Sequence, residues 1–185
     1  ELEAVDPEMR RRAKVINFGL LYGMEAYGLA QRLEISTGEA AEHMEAYFSQ
    51  FPDVAGFMEG IVARARETGY TTTLLGRRRY LPELSSGNFR IRQMGERMAL
   101  NAPIQGSAAD IIKQAMIELD RELEDLGGGA AMLLQVHDEL VLEVPDPMVD
   151  EIAGLTRRVM EGVSELRVPL KVDVGIGLTL GDAKG

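Results

Sequence analysis

The chain has 185 residues and a mass of 20.3 kDa, with 45% hydrophobic and 27% charged residues. That balance is typical of a folded globular protein and excludes wholesale disorder. With no cysteine and only two histidines, disulfides, thiolate catalysis and zinc sites built from these residues are excluded. No apolar run approaches the roughly 20 residues that span a bilayer, and the first four residues have no signal-peptide pattern. We therefore expect a cytoplasmic protein without a membrane partner.

Charge is distributed unevenly along the chain. The formal net charge is -10, and most of the acidic excess falls in residues 118–185. Basic residues cluster in residues 10–14 and again in residues 77–97, and most of them are arginine, whose guanidinium group suits forked phosphate contacts. The overall negative charge therefore does not exclude a polyanionic ligand, and two local patches favour one.

Helical patterns dominate the first part of the chain. Residues 8–33 predict a long helical stretch that breaks at one of its glycines. Ser36 and Glu39 form a capping box, which predicts a helix running to about residue 50. A further helix is predicted over residues 53–68.

The middle of the chain predicts a short β-hairpin near residues 70–82, because threonine and aromatic residues flank a glycine turn. A helix is predicted over residues 89–100, ending before Pro103. Ser107 with Asp110 then has the pattern that begins another helix.

In the last part of the chain, the spacing of the hydrophobic residues changes from a helical pattern to one typical of strands. Residues 132–144 predict two buried strands joined by a tight polar turn, residues 147–163 a helix and residues 171–176 a third strand. Helices followed by an antiparallel hairpin that helices cover indicate an α+β fold.

The polar turn of that hairpin is the first candidate site. Asp138 and Glu139 are adjacent carboxylates beside His137, at the end of two apolar strands. Strands would hold the two acids rigidly, and carboxylate oxygens suit a hard cation such as Mg²⁺. A solvated charged turn is the alternative.

A second candidate is one face of the first helix. Arg10, Lys14, Phe18 and Tyr22 recur every four residues, and because each step drifts only about 40°, they share a slowly turning face roughly 18 Å long. The face is cationic where the helix dipole favours anions and aromatic further on. A nucleoside triphosphate would match it, and an amphipathic core helix with a basic end is the alternative.

A third candidate lies further along the chain. Arg97, Asn101 and Gln105 also recur every four residues and carry donors and acceptors for base edges, sugars and phosphates. Ordinary helix-surface amides are the alternative. The cluster that includes Arg77 and Arg78 fits either a clamp on phosphates or a solvated turn.

Together these residues resemble a known family. Four strings, in order and at family-like spacing, resemble signatures of the family A DNA polymerases, the bacterial DNA polymerase I group. They are Lys14 to Gly23, Gly76 to Pro82, Glu96 to Gly106, and Gln135 to Glu139. The resemblance extends over nearly all of the chain. It implies an antiparallel palm sheet with packed helices and a mainly helical fingers subdomain, with fingers over residues 1–88 and part of the palm over residues 89–185.

The resemblance also implies an activity, template-directed nucleotidyl transfer. The primer 3′ oxygen would attack the α-phosphate of a dNTP, and pyrophosphate would leave. In the complete enzyme, two Mg²⁺ ions about 3.5–4 Å apart would activate the nucleophile and neutralise charge on the leaving group. By the same resemblance Asp138 is a metal ligand and Glu139 lies beside the primer end.

The remaining roles follow from the resemblance alone. Arg10, Lys14 and His137 would hold the triphosphate, and Lys14 would protonate the leaving pyrophosphate. Phe18 would stack near the incoming nucleotide, as in members that discriminate against dideoxynucleotides, and Tyr22 would occupy the template side. The primer-template DNA would be contacted by a set of polar residues. These are Arg77, Arg78, Arg97, Asn101 and Gln105.

One departure from the family pattern matters for activity. Family members carry an earlier aspartate, in a string like Asp-Tyr-Ser-x-Ile-Glu before the fingers helix, and residues 1–185 contain no such string. We therefore expect the isolated chain to be inactive until the upstream remainder of the polymerase supplies that aspartate and the thumb. The alternative is a polymerase remnant that binds nucleotide or DNA without catalysis.

Overall fold

A computed structural model describes residues 5–184, without the side chain of Lys184. The first four residues, examined above for a signal peptide, lie outside the described residues. The chain divides into two compact units, Glu1–Ser107 and Ala108–Gly185. Among the described residues, no helix is long and apolar enough to cross a membrane.

The first unit is mainly helical. Its elements in chain order are α1 (Pro7–Leu21), α2 (Ala26–Leu33), α3 (Thr37–Gln50), α4 (Pro52–Thr68), β1 (Tyr70–Thr72), β2 (Arg78–Tyr80), a 3₁₀ turn (Pro82–Ser85) and the start of α5 (Phe89–Leu126). The helical stretch predicted over residues 8–33 is two helices, because Gly23 adopts a left-handed φ of 74° after α1. The predicted capping box at Ser36 and Glu39 is confirmed, with both reciprocal hydrogen bonds present.

Two small cores hold this unit together. The first core joins α1, α2 and α3 through the buried residues Leu20, Leu29, Ala30, Leu33 and Ala40. The second joins α4 and α5 to the segment that follows β2, through Ala65, Leu81, Leu84 and Ala99. β1 and β2 form an antiparallel hairpin, with Tyr70 opposite Tyr80. Burial of α1 on the first core fixes which of its faces is left for a ligand.

Helix α5 differs from the sequence prediction. Pro103 lies inside a continuous helix of 38 residues, so the predicted end before Pro103 and the predicted new start at Ser107 are both wrong. An interior proline removes one helical hydrogen bond and costs about 3 kcal/mol. Here burial of Ala99 and Ala102 anchors the segment, and the buried Ser107 hydroxyl donates to the Pro103 carbonyl. Tertiary contacts therefore override the local signal.

The second unit packs the end of α5 and one later helix against a hairpin. Its further elements are β3 (Ala131–Val136), β4 (Glu139–Glu143), a 3₁₀ turn (Asp146–Met148), α6 (Val149–Gly162) and α7 (Leu180–Lys184). Leu119 and Leu123 of α5 form its core with Ile152, Leu155 and Val159 of α6. Together the two units confirm the predicted α+β fold class.

Two strand predictions for this unit need correction. The hairpin of β3 and β4 is confirmed, but Leu133 and Leu134 are more than half exposed, so the strands are not buried on both faces. Residues 171–176 form no strand. The backbone of Val172 in this segment bonds instead to side chains of α6. Val172 N donates to Glu161 Oε1 at 2.9 Å, and Arg157 Nε donates to the Val172 carbonyl at 3.4 Å.

Candidate functional site

The basic end of α1 contains both paired and unpaired cations. Arg11 and Arg12 bind Glu8, with Nε–Oε distances of 2.7 and 3.2 Å. The hydrogen bond from Arg11 lowers the pKa of Glu8 to about 2. Arg10 and Lys14 are exposed and make no ion pair with any described residue. The two cations selected by the four-residue spacing are therefore the two in this cluster that no carboxylate of residues 5–184 neutralises.

The other end of the same helix presents two aromatic rings. The ring centroids of Phe18 and Tyr22 lie 6.5 Å apart, and the ring planes are inclined by 24°. Phe18 is 52% exposed. The Tyr22 N–H donates to the Phe18 carbonyl at 3.1 Å, which closes the helix. The structure thus brings both predicted aromatic residues together at an accessible surface.

Packing and one long-range hydrogen bond position α1. Leu20 is 1% exposed in the first core. The hydroxyl of Tyr47 on α3 donates to Asn17 Oδ1 at 2.7 Å, one residue before Phe18. Neither Asn17 nor Tyr47 is predicted from the sequence, because nothing in the local pattern links residues that are 30 positions apart.

The turn after α1 meets α5. A Cβ atom added to Gly23 would lie 3.0 Å from Leu100 Cδ1 and 3.4 Å from Arg97 Cγ. Gln93 Nε2 also donates to Glu25 Oε1 at 2.6 Å. The aromatic end of α1 and the Arg97 stretch of α5 are therefore neighbours within the first unit.

The three polar residues predicted on α5 differ in their surroundings. Arg97 and Gln105 are exposed. Asn101 is half-buried, and its Oδ1 is buried with no hydrogen-bond partner among the described residues. A contact between Asn101 Oδ1 and DNA would require the side chain to turn outward.

The arginines of the β1–β2 hairpin contact other residues of the first unit. Arg77 Nη2 donates to the Gly106 carbonyl at 3.1 Å, next to Gln105. The guanidinium carbon of Arg78 lies 4.7 Å from the centroid of the Tyr70 ring. Both arginines remain exposed overall. Arg77 thus belongs to one surface with Gln105.

The tip of the second unit carries the predicted acids. Val136 pairs with Glu139, so His137 and Asp138 form a two-residue turn, and all three polar residues of the tip are exposed. His137 has a left-handed φ of 56°, a conformation that histidine adopts more readily than bulky apolar residues. The Gln135 side-chain amide donates to the His137 carbonyl. The turn places the neighbouring residues Asp138 and Glu139 at the end of the β3–β4 hairpin.

The donor set at this tip suits a hard cation but does not complete a site. Within residues 5–184, no group of three or more aspartate, glutamate or histidine side chains is arranged to hold a metal ion. Asp138 and Glu139 supply carboxylate oxygens, the ligand type that Mg²⁺ prefers. Their chemistry therefore fits a hard cation, although these two acids are not part of a complete ligand group among the described residues.

Comparison with known proteins decides the family. A family model described as DNA polymerase family A matches residues 1–182. The chain belongs to DNA polymerase family A. The resemblance stated from the four sequence strings is therefore confirmed.

Relatives within this family are similar over almost the whole chain. DNA polymerase I of Bacillus caldotenax is 56% identical over 182 residues, which is 98% of this chain and 21% of that protein. The thermostable DNA polymerase I of Thermus aquaticus is 53% identical over 175 residues, which is 95% of this chain and 21% of that protein. The chain thus spans about a fifth of the length of these relatives.

A solved structure has the same fold. The POL domain of Pol1 from M. smegmatis, in complex with a DNA primer-template and a dNTP, matches with a TM-score of 0.96 and 51% sequence identity. The match covers 100% of this chain and 33% of that chain. This likeness confirms the fold of the part of the chain that the structure describes, residues 5–184.

The structure separates the predicted site residues into two sets. The first unit holds Arg10, Lys14, Phe18, Tyr22, Arg77, Arg78, Arg97, Asn101 and Gln105, and the second unit holds His137, Asp138 and Glu139. A further residue, Ser107, was assigned to helix capping from the sequence. Its spacing of four from Pro103 was the signal that a serine inside a helix bonds back to a carbonyl.

Proposed function

We propose that this chain supplies the dNTP-binding fingers, over residues 1–88, and part of the palm, over residues 89–185, of a DNA-directed DNA polymerase. The reaction is template-directed nucleotidyl transfer, in which the primer 3′ oxygen attacks the α-phosphate of a dNTP and pyrophosphate leaves. The α1 face carries the proposal, because it combines two neighbouring rings with two cations that form no ion pair with any residue the structure describes.

The nucleotide is held along α1 in this proposal. Arg10 and Lys14 bind the phosphates at the end where the helix dipole favours anions. Phe18 stacks against the sugar and base, and Tyr22 lies on the template side. Lys14 also donates a proton to the leaving pyrophosphate, and His137 contributes a further contact to the triphosphate.

The growing duplex is bound by the α5 and hairpin residues. Arg77 and Arg78 contact phosphates, which carry no sequence information and so suit an enzyme that copies any template. Arg97, Asn101 and Gln105 contact the template and the minor-groove edge of the nascent pair. Their proximity within one unit supports this arrangement.

The acids of the β3–β4 turn act at the primer end. Asp138 holds Mg²⁺, with Glu139 beside the primer terminus. Bound Mg²⁺ supplies activation of the nucleophile and neutralisation of negative charge on the phosphates. Residues outside this chain provide the missing carboxylate, so residues 1–185 alone do not extend a primer.

A nucleotide-binding measurement tests the proposal. Lys14→Gln should raise the Kd of a dNTP about tenfold, since it removes a charge-assisted phosphate contact. Arg12→Gln is the matched control and should change Kd less than about twofold, because Glu8 already pairs with Arg12. Equal effects of the two variants would contradict the assignment of the α1 face.

A non-catalytic remnant is the second candidate, because residues 1–185 contain no string like the family's upstream aspartate signature. It predicts DNA and dNTP binding that weakens with salt but no extension when the upstream remainder is added. Restoration of extension by that remainder would exclude it.

A further inference from the structure

The loop between β1 and β2 lies directly against one turn of α5. Ser107 is 6% exposed, and its Oγ accepts a hydrogen bond from Leu74 N at 2.9 Å. The same hydroxyl donates to the carbonyl of Pro103. A single buried side chain therefore bonds the arginine hairpin to the turn of α5 that begins at Pro103.

A glycine in the same turn makes the contact close. A Cβ atom added to Gly106 would lie 2.6 Å from Thr73 Cγ2, a separation that real Cβ contacts do not show. Arg77 Nη2 donates to the Gly106 carbonyl, and Arg77 N donates to Thr73 Oγ1 at 3.1 Å. The loop and the helix can therefore approach this closely only where residue 106 has no side chain.

We propose that Ser107 is a positioning residue for DNA binding, and that Gly106 permits the approach it fixes. Neither residue needs to touch DNA. Ser107 holds the hairpin against α5, so that Arg77 and Arg78 and the neighbouring Gln105 meet the same stretch of duplex. This inference rests on the proposed function, since it concerns how the DNA-binding residues are arranged.

Binding should depend on this arrangement because phosphate contacts made by one rigid surface act together. When the hairpin moves independently of α5, each arginine must be ordered at the moment of binding, and that ordering lowers affinity. The loss of one hydrogen bond of ordinary strength corresponds to about a fivefold change in an equilibrium constant. Loss of one phosphate contact lowers the slope of log Kd against log salt by about 0.9.

The first experiment uses Ser107→Ala in the full chain, with Ser49→Ala on the exposed surface of α3 as the matched control. Amide hydrogen exchange at Leu74 reports the contact itself. Affinity for a primer-template duplex, measured across a salt series, reports its consequence. We expect faster exchange at Leu74, about fivefold weaker binding and a shallower salt slope for Ser107→Ala only, and Ser107→Thr should restore all three.

A second pair of variants tests the same contact without removing a hydrogen-bonding group. Gly106→Ala introduces the Cβ that collides with Thr73, whereas Gly60→Ala on α4 places a Cβ in open space. Gly106→Ala should weaken duplex binding and expose the Leu74 amide. Gly60→Ala should leave both unchanged.

The outcomes distinguish a failure of the positioning role from a failure of the proposed DNA contacts. If the unsubstituted chain binds duplex and Ser107→Ala binds it equally well with an equal salt slope, the positioning role is overturned while the proposed function stands. If the unsubstituted chain binds no duplex in any salt, the proposed DNA contacts are overturned, and the positioning role with them. A Ser107→Ala chain whose melting temperature falls while DNA affinity stays constant would also overturn the inference, because that is the result of a purely structural role.

Discussion

The hydroxyl of Tyr47 donates a 2.7 Å hydrogen bond to Oδ1 of Asn17, joining α3 to α1 beside Phe18. Asn17 lies between the helix face packed in the core and the face that carries the two rings. The bond therefore fixes the rotation of α1 about its own axis. Because Lys14 and Phe18 point along one side of α1, that rotation sets where a bound nucleotide would lie.

Tyr47→Phe should lower the free energy of unfolding by about 0.5–1.5 kcal/mol, the usual net contribution of one hydrogen bond. It should also weaken dNTP binding by a factor of about 2 to 5, because the nucleotide face becomes less well oriented. Chemical unfolding and dNTP titration measure the two effects. In an Asn17→Ala background, Tyr47→Phe should have almost no further effect, and a full additional loss would contradict a direct coupling.

The capping box of α3 predicts a pH dependence of stability. The Ser36 side chain and then its backbone N–H donate hydrogen bonds that lower the pKa of Glu39 below its ordinary value of 4.5. A lowered folded-state pKa stabilises the fold above pH 4.5, and the stabilisation is lost as the pH falls through the folded-state value. Glu39→Gln should therefore lower the melting temperature at pH 7 but not at pH 2. Equal losses of melting temperature at pH 7 and pH 2 would contradict this prediction.

Substitution of Asn101 should affect the stability of the fold and the affinity for DNA in different ways. Its buried Oδ1 lacks a partner among the described residues, and an unsatisfied buried polar group costs about 1–3 kcal/mol. Asn101→Leu should therefore leave the free energy of unfolding unchanged or raise it, while it weakens duplex binding. Gln105→Leu, at an exposed position, should weaken duplex binding with less than about 0.5 kcal/mol change in stability. A marked loss of stability in Asn101→Leu would contradict the buried, unpaired state of its oxygen.

The isolated chain gives a further prediction. Residues 1–185 with Mg²⁺, primer-template DNA and dNTPs should produce no extension above background, because they contain no string like the family's upstream aspartate signature. Primer extension on a sequencing gel measures this. Robust template-dependent extension by the chain alone would contradict the prediction.

Local patterns predicted those features that local interactions decide. The capping box at Ser36, the α3 helix and the hairpin turn at His137 each depend on residues close in sequence, and all are present. The four-residue spacing of Arg10 and Lys14 selected the two cations that carry no ion pair within the described part of the chain. Such features can be read from sequence because neighbouring residues supply most of their energy.

Features that depend on tertiary packing were not predicted. Pro103 indicates a helix end by its local chemistry, yet the buried residues around it keep α5 continuous. Residues 171–176 alternate like a strand, but their backbone bonds to side chains of α6. The hydrogen bonds between Tyr47 and Asn17 and between Leu74 and Ser107 join residues about 30 positions apart. No periodic pattern in the sequence predicts them.

In the proposed function, Asp138 acts in nucleotidyl transfer together with residues supplied from outside this chain. The most direct measurement replaces the matching segment of Bacillus caldotenax DNA polymerase I, 56% identical over 182 residues, with this chain and follows primer extension. The chimaera should extend a primer, and Asp138→Asn should reduce the extension rate on the order of a thousandfold, while duplex affinity changes less than about threefold. Extension by the Asp138→Asn chimaera at more than a tenth of the unsubstituted rate would contradict the claim.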